Sequence, residues 1–150
     1  MDEAILSSAL HILGRRDHSR HELFTKLRRK YPEQAAEIET ILDYLEETGV
    51  CNDARFAREY VHYLQATNPK GQYRLRQELQ KKGIAADLIA ATLDEHDADE
   101  TPLALQLARR KAASLPADLD IHKKRDRLYR FLVSRGFSFD TAREAAKRID

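Results

Sequence analysis

The chain has 150 residues, of which 42% are hydrophobic and 34% are charged, and its net charge is +1. A charge this close to zero predicts no strongly acidic or basic partner for the chain as a whole. Only five glycines and four prolines occur, which disfavours a turn-rich all-β fold, and the high charged fraction favours a helical protein with much surface per core residue.

The charge is unevenly distributed along the chain. Residues 1–50 hold seven Lys and Arg against ten Asp and Glu (−3), and residues 51–100 hold seven against nine (−2). Residues 101–150 hold twelve against six (+6). The C-terminal third could therefore face an anionic partner.

The first charged stretch, RRDHSRHELFTKLRRK (15–30), predicts a helix rather than a loop. Ser19 and Glu22 have the spacing of a capping box, in which each side chain bonds the other residue's backbone N–H. Two leucines then repeat at an interval of four and form an apolar stripe. The helix is predicted to begin after Ser19 and to end before Pro32, which cannot continue it.

Similar helices recur in the other two thirds of the chain. HELFTKLRRKY (21–31), YRLRQELQKKGI (73–84) and RDRLYRFLVSRGF (125–137) are offset by 52 and 53 residues. Gly83 and Gly136 follow the last basic residue of the second and third copies, where a left-handed residue typically ends a helix. The aligned positions are Leu23, Leu75 and Leu128, then Leu27, Leu79 and Leu132, and then Lys30, Lys82 and Arg135.

Each copy lies between two further stretches with apolar residues at helical spacing. The stretches before the copies contain Ile5, Ala9, Ile12 and Leu13; Phe56, Tyr60, Tyr63 and Leu64; and Leu103, Leu107, Ala108 and Ala112. The stretches after them contain Ala35, Ile38, Ile41, Leu42 and Leu45; Leu88, Ile89 and Leu93; and Phe139, Ala142, Ala145, Ala146 and Ile149. We interpret the aromatic residues at this spacing as core residues rather than as platforms for stacked bases.

The repeat unit is therefore three helices of about a dozen residues, joined by short loops. We predict an all-α fold of three tandem three-helix repeats, which form an elongated, curved helical array of right-handed type. The predicted repeats span residues 1–51, 52–99 and 100–150, and an acidic joint at 94–100 separates the last two.

The residues give no signal for catalysis or metal binding. His18 and His21 lie three residues apart with carboxylates beside them, but His18 precedes the helix cap, so we interpret the pair as solvated surface. His96 lies in the acidic joint, which lacks the spacing of an EF-hand loop. Cys51 has no histidine partner fixed by spacing. We therefore expect no enzymatic activity, no metal and no cofactor.

Cysteine usage and hydropathy predict the compartment. Cys51 is the only cysteine, which excludes an intrachain disulfide and suits a reducing cytosol. The first residues are acidic and no long apolar region follows them, so a signal peptide is not expected. No apolar run approaches the roughly 18 residues of a membrane span. We expect a cytoplasmic protein that does not contact membranes.

Basic residues are the more promising candidates for function. Clusters of cations can neutralise phosphates or carboxylates of a partner, whereas the simpler interpretation is a solvated helix face with ion pairs. For the set as a whole we favour a role in binding a protein or DNA partner. The candidates are Arg15, Arg16, Arg20, Lys70, Arg74, Arg76, Lys81, Lys82, Lys124, Arg125, Arg127 and Arg130.

Four segments of the chain together carry a family resemblance. They are RRDHSRHELFTKLRRK (15–30), GVCNDARFAREYV (49–61), KGQYRLRQELQKKGI (70–84) and RLYRFLVSRGFSFD (127–140). Their specific parts are N-D-x-R-F-A and K-G-x-x-R-L-R-x-E-L-x-x-K-G-I, and in this order they resemble the RecX family of bacterial regulatory proteins over essentially the whole chain. Cys51 stands where the family usually has Leu, and Val50 where it has an aromatic residue, both at a loop.

This resemblance implies a function that composition does not indicate. The chain would bind the filament that the RecA recombinase forms on single-stranded DNA, lie in its helical groove, and hinder its extension or promote its disassembly. ATP hydrolysis, strand exchange and stimulated repressor cleavage would fall, so the chain would regulate homologous recombination and the SOS response. We expect a monomer with RecA as its partner, and direct contact with single-stranded or duplex DNA stays open.

Two other functions stay open from the residues alone. A DNA-binding regulator of the helix-turn-helix type would use residues 20–30 as its recognition helix, although the threefold repeat and the low net charge argue against it. A helical-repeat adaptor would bind protein alone. Binding to DNA alone, compared with binding to RecA-coated single strands, distinguishes the three.

Overall fold

A computed structural model of the protein describes residues 1–96 and 99–150. These residues form nine α-helices and no β-strand, which confirms the predicted all-α class. The acidic joint predicted at 94–100 includes Asp97 and Ala98, which lie outside the described residues. The helices are α1 (Glu3–Arg15), α2 (Arg20–Lys30), α3 (Ala35–Glu47), α4 (Asp53–Thr67), α5 (Gln72–Lys81), α6 (Ala86–Glu95), α7 (Thr101–Ala112), α8 (Ile121–Ser134) and α9 (Phe139–Lys147).

Residues with short polar side chains cap the N-termini of several of these helices. The predicted capping box of α2 is confirmed, because the Ser19 hydroxyl accepts from the Glu22 N–H and the Glu22 carboxylate accepts from the Ser19 N–H, both at 3.1 Å. Asn52 precedes α4 and accepts from the N–H three residues later. Asp120 and Ser138 cap α8 and α9 in the same way. Each cap satisfies N–H groups that have no partner inside the helix.

The described helices contribute to two compact units. Residues 1–60 and 79–92 form the first unit, and residues 61–78 and 93–150 form the second. The dividing points fall within α4, α5 and α6, so the second predicted repeat contributes to both units. The predicted repeat boundaries therefore stay a prediction.

Leucine, isoleucine and alanine stripes form the core of each unit, as the helical spacing predicted. Each large aliphatic side chain that is fully buried contributes about 1.5–3 kcal/mol relative to an exposed one. In the first unit α1, α2 and α3 bury Ile5, Ala9, Leu23, Leu27, Ile38, Ile41, Leu42 and Leu45. In the second unit α7, α8 and α9 bury Ala104, Leu107, Ala108, Leu128, Leu132, Ala142, Ala145 and Ala146.

Two aromatic residues that we predicted for the core are exposed instead. Tyr63 is 61% exposed and Phe139 is 64% exposed. The buried stripe of α4 passes through Val61 and Leu64, and Tyr63 is turned away from Leu64 by about 100° around the helix axis. Phe139 is the first residue of α9 and precedes the turn whose alanines are buried.

Helices α5 and α8 end in the same left-handed turn, as predicted. Gly83 has a φ of 74° and Gly136 a φ of 93°. In α8 the N–H of Phe137 donates to the carbonyl of Leu132 at 3.2 Å, and the corresponding bond of α5 is also 3.2 Å long. A side chain with a Cβ would destabilise this backbone conformation by roughly 1–2 kcal/mol, so glycine fits both positions.

In the second unit, the start of α5 packs on the turn that ends α8. The N–H of Gly71 donates to the carbonyl of Arg135 at 2.8 Å, and the N–H of Tyr73 donates to the carbonyl of Gly136 at 3.2 Å. A Cβ on Gly136 would overlap the backbone of Arg74, and one on Gly71 would overlap the backbone of Gly136. Glycine is therefore needed on both sides of this contact.

In the first unit, the start of α2 packs on the turn that ends α5. The Ser19 hydroxyl donates to the carbonyl of Lys82 at 2.6 Å, while it also accepts the bond that caps α2. A Cβ on Gly83 would overlap the side chain of His21. The turns after α5 and α8 thus receive the start of a helix from an earlier repeat in the same manner.

Glu22 adds a charged contact to the first of these two junctions. Its carboxylate accepts from Lys82 Nζ at 3.0 Å and from Arg16 Nη2 at 3.1 Å, in addition to the Ser19 N–H. Although burial opposes ionisation, these hydrogen bonds lower the pKa of Glu22 to about 2. The ionised carboxylate therefore stabilises the folded state.

Three Gly-to-Ala substitutions distinguish the effect of backbone conformation on stability from the effect of close packing. Gly14 lies in α1 with open space around it, so G14A is expected to stabilise the protein by up to about 1 kcal/mol. Gly49 has a φ of 76° and open space, so G49A should cost only the backbone term, about 1–2 kcal/mol. In G136A the added Cβ also displaces Arg74, so this variant should lose more stability than G49A. Urea unfolding followed by circular dichroism measures all three, and equal losses for G49A and G136A would contradict the packing argument.

The Glu22 junction also predicts a pH dependence. Because the pKa of Glu22 falls from 4.5 to about 2 on folding, its stabilisation is complete above pH 4.5 and is lost as the pH falls toward 2. E22Q should therefore lower the free energy of unfolding at pH 7 by up to about 3 kcal/mol. The difference from the unaltered chain should shrink between pH 4.5 and 2. E144Q is the matched control, since Glu144 makes only an exposed pair with Arg148, and a pH-independent E22Q effect would contradict the assignment.

Candidate protein and nucleic-acid interface

Arg20, the first residue of α2, is bound by three carboxylates of α3. Its guanidinium donates to Asp43 at 2.8 Å and to Glu46 at 2.9 Å, and a further bond goes to Glu39. Although burial opposes the charge, these hydrogen bonds raise the pKa of Arg20. The acidic face of α3 therefore more than offsets the charge of this candidate cation within the first unit.

Arg16 and Lys82 also use their charge inside the first unit. Both bind the carboxylate of Glu22, and Lys82 Nζ lies 5.2 Å from the ring centroid of Tyr60. The Lys82 side chain is partly buried, whereas half of the Arg16 side chain is exposed. These two cations stabilise the junction of α2 with α5, and a partner could reach Arg16 more readily than Lys82.

Four candidates of the second unit are held by the chain itself. Lys70 is buried and pairs with Glu78 at 3.7 Å. Arg74 Nη1 lies 3.5 Å from the last carbonyl of α8, at the limit of a hydrogen bond. Lys124 and Arg125 donate to the carbonyls of residues 150 and 149, each at 3.0 Å. Of these, Lys70 is the least accessible to a partner.

Five candidate cations lie on the surface. Arg130 pairs with the carboxylate one turn earlier at 3.3 Å, a contact that exposure makes weak. Lys81 is exposed at the end of α5. Arg15, Arg76 and Arg127 have no ion-pair partner among the described residues, and we refer to these three as the exposed cation set. The twelve predicted residues are thus divided between the two units, five in the first and seven in the second.

A pocket that the sequence did not reveal lies in the second unit, beside the ends of α7 and α8. Its volume is about 310 Å³. Three cations and one aromatic ring line it, and none of its described lining residues is a carboxylate. Two features of the sequence could have indicated this pocket, namely the basic run at 109–111 and the alignment of Arg135 with Lys82. We call this the α7–α8 pocket, and its lining includes Asn68, Arg110, Lys111, Phe131 and Arg135.

The prediction that His18 is a solvated surface residue is wrong. Its side chain is buried, with 3% of the residue exposed. Nδ1 lies 3.0 Å from the carbonyl of Arg16 and Nε2 lies 2.7 Å from Lys26 Nζ, so Nδ1–H donates and Nε2 accepts. Burial and these two neighbouring cations lower the pKa of His18. The segment before α2 therefore folds back onto α2, a contact that the capping signal at Ser19 did not predict.

Cys51 and the acidic residues do not form a reactive or metal-binding group in the described structure. Cys51 is buried, and burial together with Asp53 and Glu46 raises its pKa to about 11, which keeps the thiol protonated near neutral pH. A protonated thiol is a poor nucleophile. Across residues 1–96 and 99–150, no three His, Cys, Asp or Glu side chains are placed to hold a metal ion. Within the same residues, no helix has the length and apolarity to cross a membrane.

Comparison with protein families matches all three parts of the chain to one family, in order. Residues 6–45 match the first three-helix domain of RecX, residues 52–93 the second, and residues 98–146 the third. These matches cover most of the chain, and each contains helices that carry the repeated leucines.

Individual relatives and a solved structure agree with these matches. The chain is 38% identical to the regulatory protein RecX of Chlorobium phaeobacteroides (strain BS1), over 99% of this chain and 95% of that protein. It is 39% identical to the regulatory protein RecX of Leptothrix cholodnii, over 95% of this chain and 87% of that one. The crystal structure of RecX from Lactobacillus salivarius superposes with a TM-score of 0.84 at 25% identity, covering 96% of this chain and 93% of that chain. The chain therefore belongs to the RecX family of regulatory proteins, which are built from three-helix domains.

Proposed function

We propose that this protein binds the RecA–single-stranded DNA filament and inhibits the recombinase, ATPase and coprotease activities of RecA. It does so by occupying the filament groove and hindering extension of the filament. The observation that carries this proposal is the match of the chain, over 99% of its length, to a relative named regulatory protein RecX. We further propose that it acts as a monomer, through binding rather than catalysis.

A repeat protein suits a filament because both offer regularly spaced contacts. Several modest contacts to neighbouring protomers add up, since each later contact is made within one complex. Binding changes the filament only if the protein has unequal affinity for its conformations or its ends. A groove-bound chain that blocks the next protomer would have such unequal affinity.

The exposed cation set is the best-supported part of the predicted interface. Arg15, Arg76 and Arg127 have no internal ion pair to break among the described residues, so their charge is available to acidic groups of RecA. Arg20 and Lys70 contribute less to this proposal, because one binds three carboxylates and the other is buried.

A helix-turn-helix function is less well supported for α2. The N-terminal residues of a recognition helix contact base edges. At the start of α2, however, Ser19 is bonded to the carbonyl of Lys82, and Arg20 is surrounded by three carboxylates. Those carboxylates would repel DNA phosphates.

Charge reversal on the exposed cation set tests the interface. R76E/R127E should raise the concentration needed for half-inhibition of the RecA ATPase on single-stranded DNA by about tenfold or more, because each reversal replaces attraction by repulsion. R29E/R58E is the matched control, with the same charge change at two exposed arginines outside the predicted set. Unchanged potency of R76E/R127E, with helicity intact by circular dichroism, would eliminate Arg76 and Arg127 from the interface.

Gel shifts test the partner itself. The unaltered protein should shift RecA-coated single strands at a lower concentration than it shifts the same DNA alone, because contacts to several protomers add to any contact with DNA. Tighter binding to naked duplex than to the RecA-coated strand would favour the helix-turn-helix function instead. No shift of the coated strand, together with no inhibition of the RecA ATPase, would contradict the proposed function.

A further inference from the structure

We propose that the α7–α8 pocket binds the phosphate group of a nucleotide unit through Arg110, Lys111 and Arg135, with the ring of Phe131 holding two of these cations in place. This inference deepens the proposed function by giving it a nucleic-acid contact site outside the twelve predicted residues. It rests on the proposed function only for the source of the phosphate, which would be the DNA strand of the filament.

Positive charge in this pocket is not neutralised by the chain. Arg110 is exposed and has no ion-pair or hydrogen-bond partner among the described residues. Lys111 and Arg135 have no carboxylate partner there either. The helix dipoles of α7 and α8 favour cations at these helix ends. That preference does not explain why the three cations surround a pocket. Three cations around a pocket with no lining carboxylate therefore favour an anionic ligand.

The chain holds two of these cations in place. Lys111 Nζ lies 5.3 Å from the ring centroid of Phe131, and Arg135 Cζ lies 5.3 Å from the same centroid. Arg135 Nη1 also donates to Asn68 Oδ1 at 2.8 Å. Side chains that are already ordered lose less conformational entropy when a ligand binds. Arg110, which no such contact holds, can adjust to the ligand.

Size and composition favour a nucleotide phosphate over an acidic peptide. The volume of about 310 Å³ lies at the lower end of the ~300–1,000 Å³ typical of small-ligand sites. Arginine donates to phosphate through two N–H groups, and lysine adds a point charge. Lys111 and Arg135 already lie over the ring of Phe131, so this ring orders two cations for a phosphate group rather than stacking with a base.

The test measures binding of fluorescent oligothymidylate to the full chain in the absence of RecA. R110Q/K111Q removes two charges without touching the Arg135 contact with Asn68, and R58Q/R109Q is the matched control at two exposed arginines outside the pocket. R110Q/K111Q should weaken binding about tenfold or more. It should also make the slope of log affinity against log salt shallower by up to about 0.7, as expected for one lost phosphate contact on a single strand. R58Q/R109Q should change both quantities much less.

Competition identifies the source of the phosphate. Displacement of the oligonucleotide by dTMP would assign a free nucleotide as the ligand, and displacement only by unlabelled oligothymidylate would assign the strand; either result supports the site. Displacement by oligoglutamate at equal charge would overturn the choice of phosphate.

The remaining outcomes distinguish this inference from the proposed function. Equal weakening by R110Q/K111Q and R58Q/R109Q, or no binding of oligothymidylate by the unaltered chain at low salt, would overturn the pocket assignment. If the unaltered chain still inhibits the RecA ATPase in that case, the proposed function stands without this site. Conversely, binding that depends on Arg110 and Lys111, without any inhibition of RecA, would support the pocket while the proposed function fails.

Discussion

The structure depends on how the carbonyl groups at the ends of α5 and α8 are satisfied. The last carbonyls of a helix have no partner within it, and a buried one left unpaired destabilises the fold by about 1–3 kcal/mol. Here the carbonyl of Lys82 accepts from the Ser19 hydroxyl, and those of Arg135 and Gly136 accept from the start of α5. Glycine makes this possible because the approaching chain occupies the position of a side chain. The end of α5 thus bonds to the start of α2, and the end of α8 bonds to the start of α5, so these hydrogen bonds connect consecutive predicted repeats.

This arrangement decides which cations remain available for a partner. Residues near the junctions, such as Arg16 and Lys82, bind Glu22 and stabilise the fold. Arg20 is neutralised by the acidic face of α3. Among the candidate cations, the exposed cation set has no internal ion pair in the described residues, and the three cations of the α7–α8 pocket lie in the C-terminal third, where the sequence carries its net positive charge. The proposed interface therefore consists of cations that have no ion pair within the described residues.

Local patterns predicted much of the fold and little of the site. The capping box of α2, the leucine stripes and the glycine turns were readable because each involves residues within a few positions of one another. His18 was misread because its burial results from contacts with Arg16 and Lys26, on either side of the helix start. The α7–α8 pocket joins Asn68 to residues some forty to seventy positions later, and no periodicity links such distant positions.

The first repeat ends α2 differently, and this difference limits how repeats can be added. Tyr31 stands where the later copies have glycine, Pro32 stands where they have Ile84 and Phe137, and the Tyr31 N–H already donates to Leu27 at 2.8 Å. Pro32 offers no N–H for the bond that Ile84 and Phe137 make to the ends of α5 and α8. The end of α2 therefore lacks the left-handed turn that receives the start of another helix after α5 and after α8, so a further repeat placed before α1 could not be joined to α2 through the same contact.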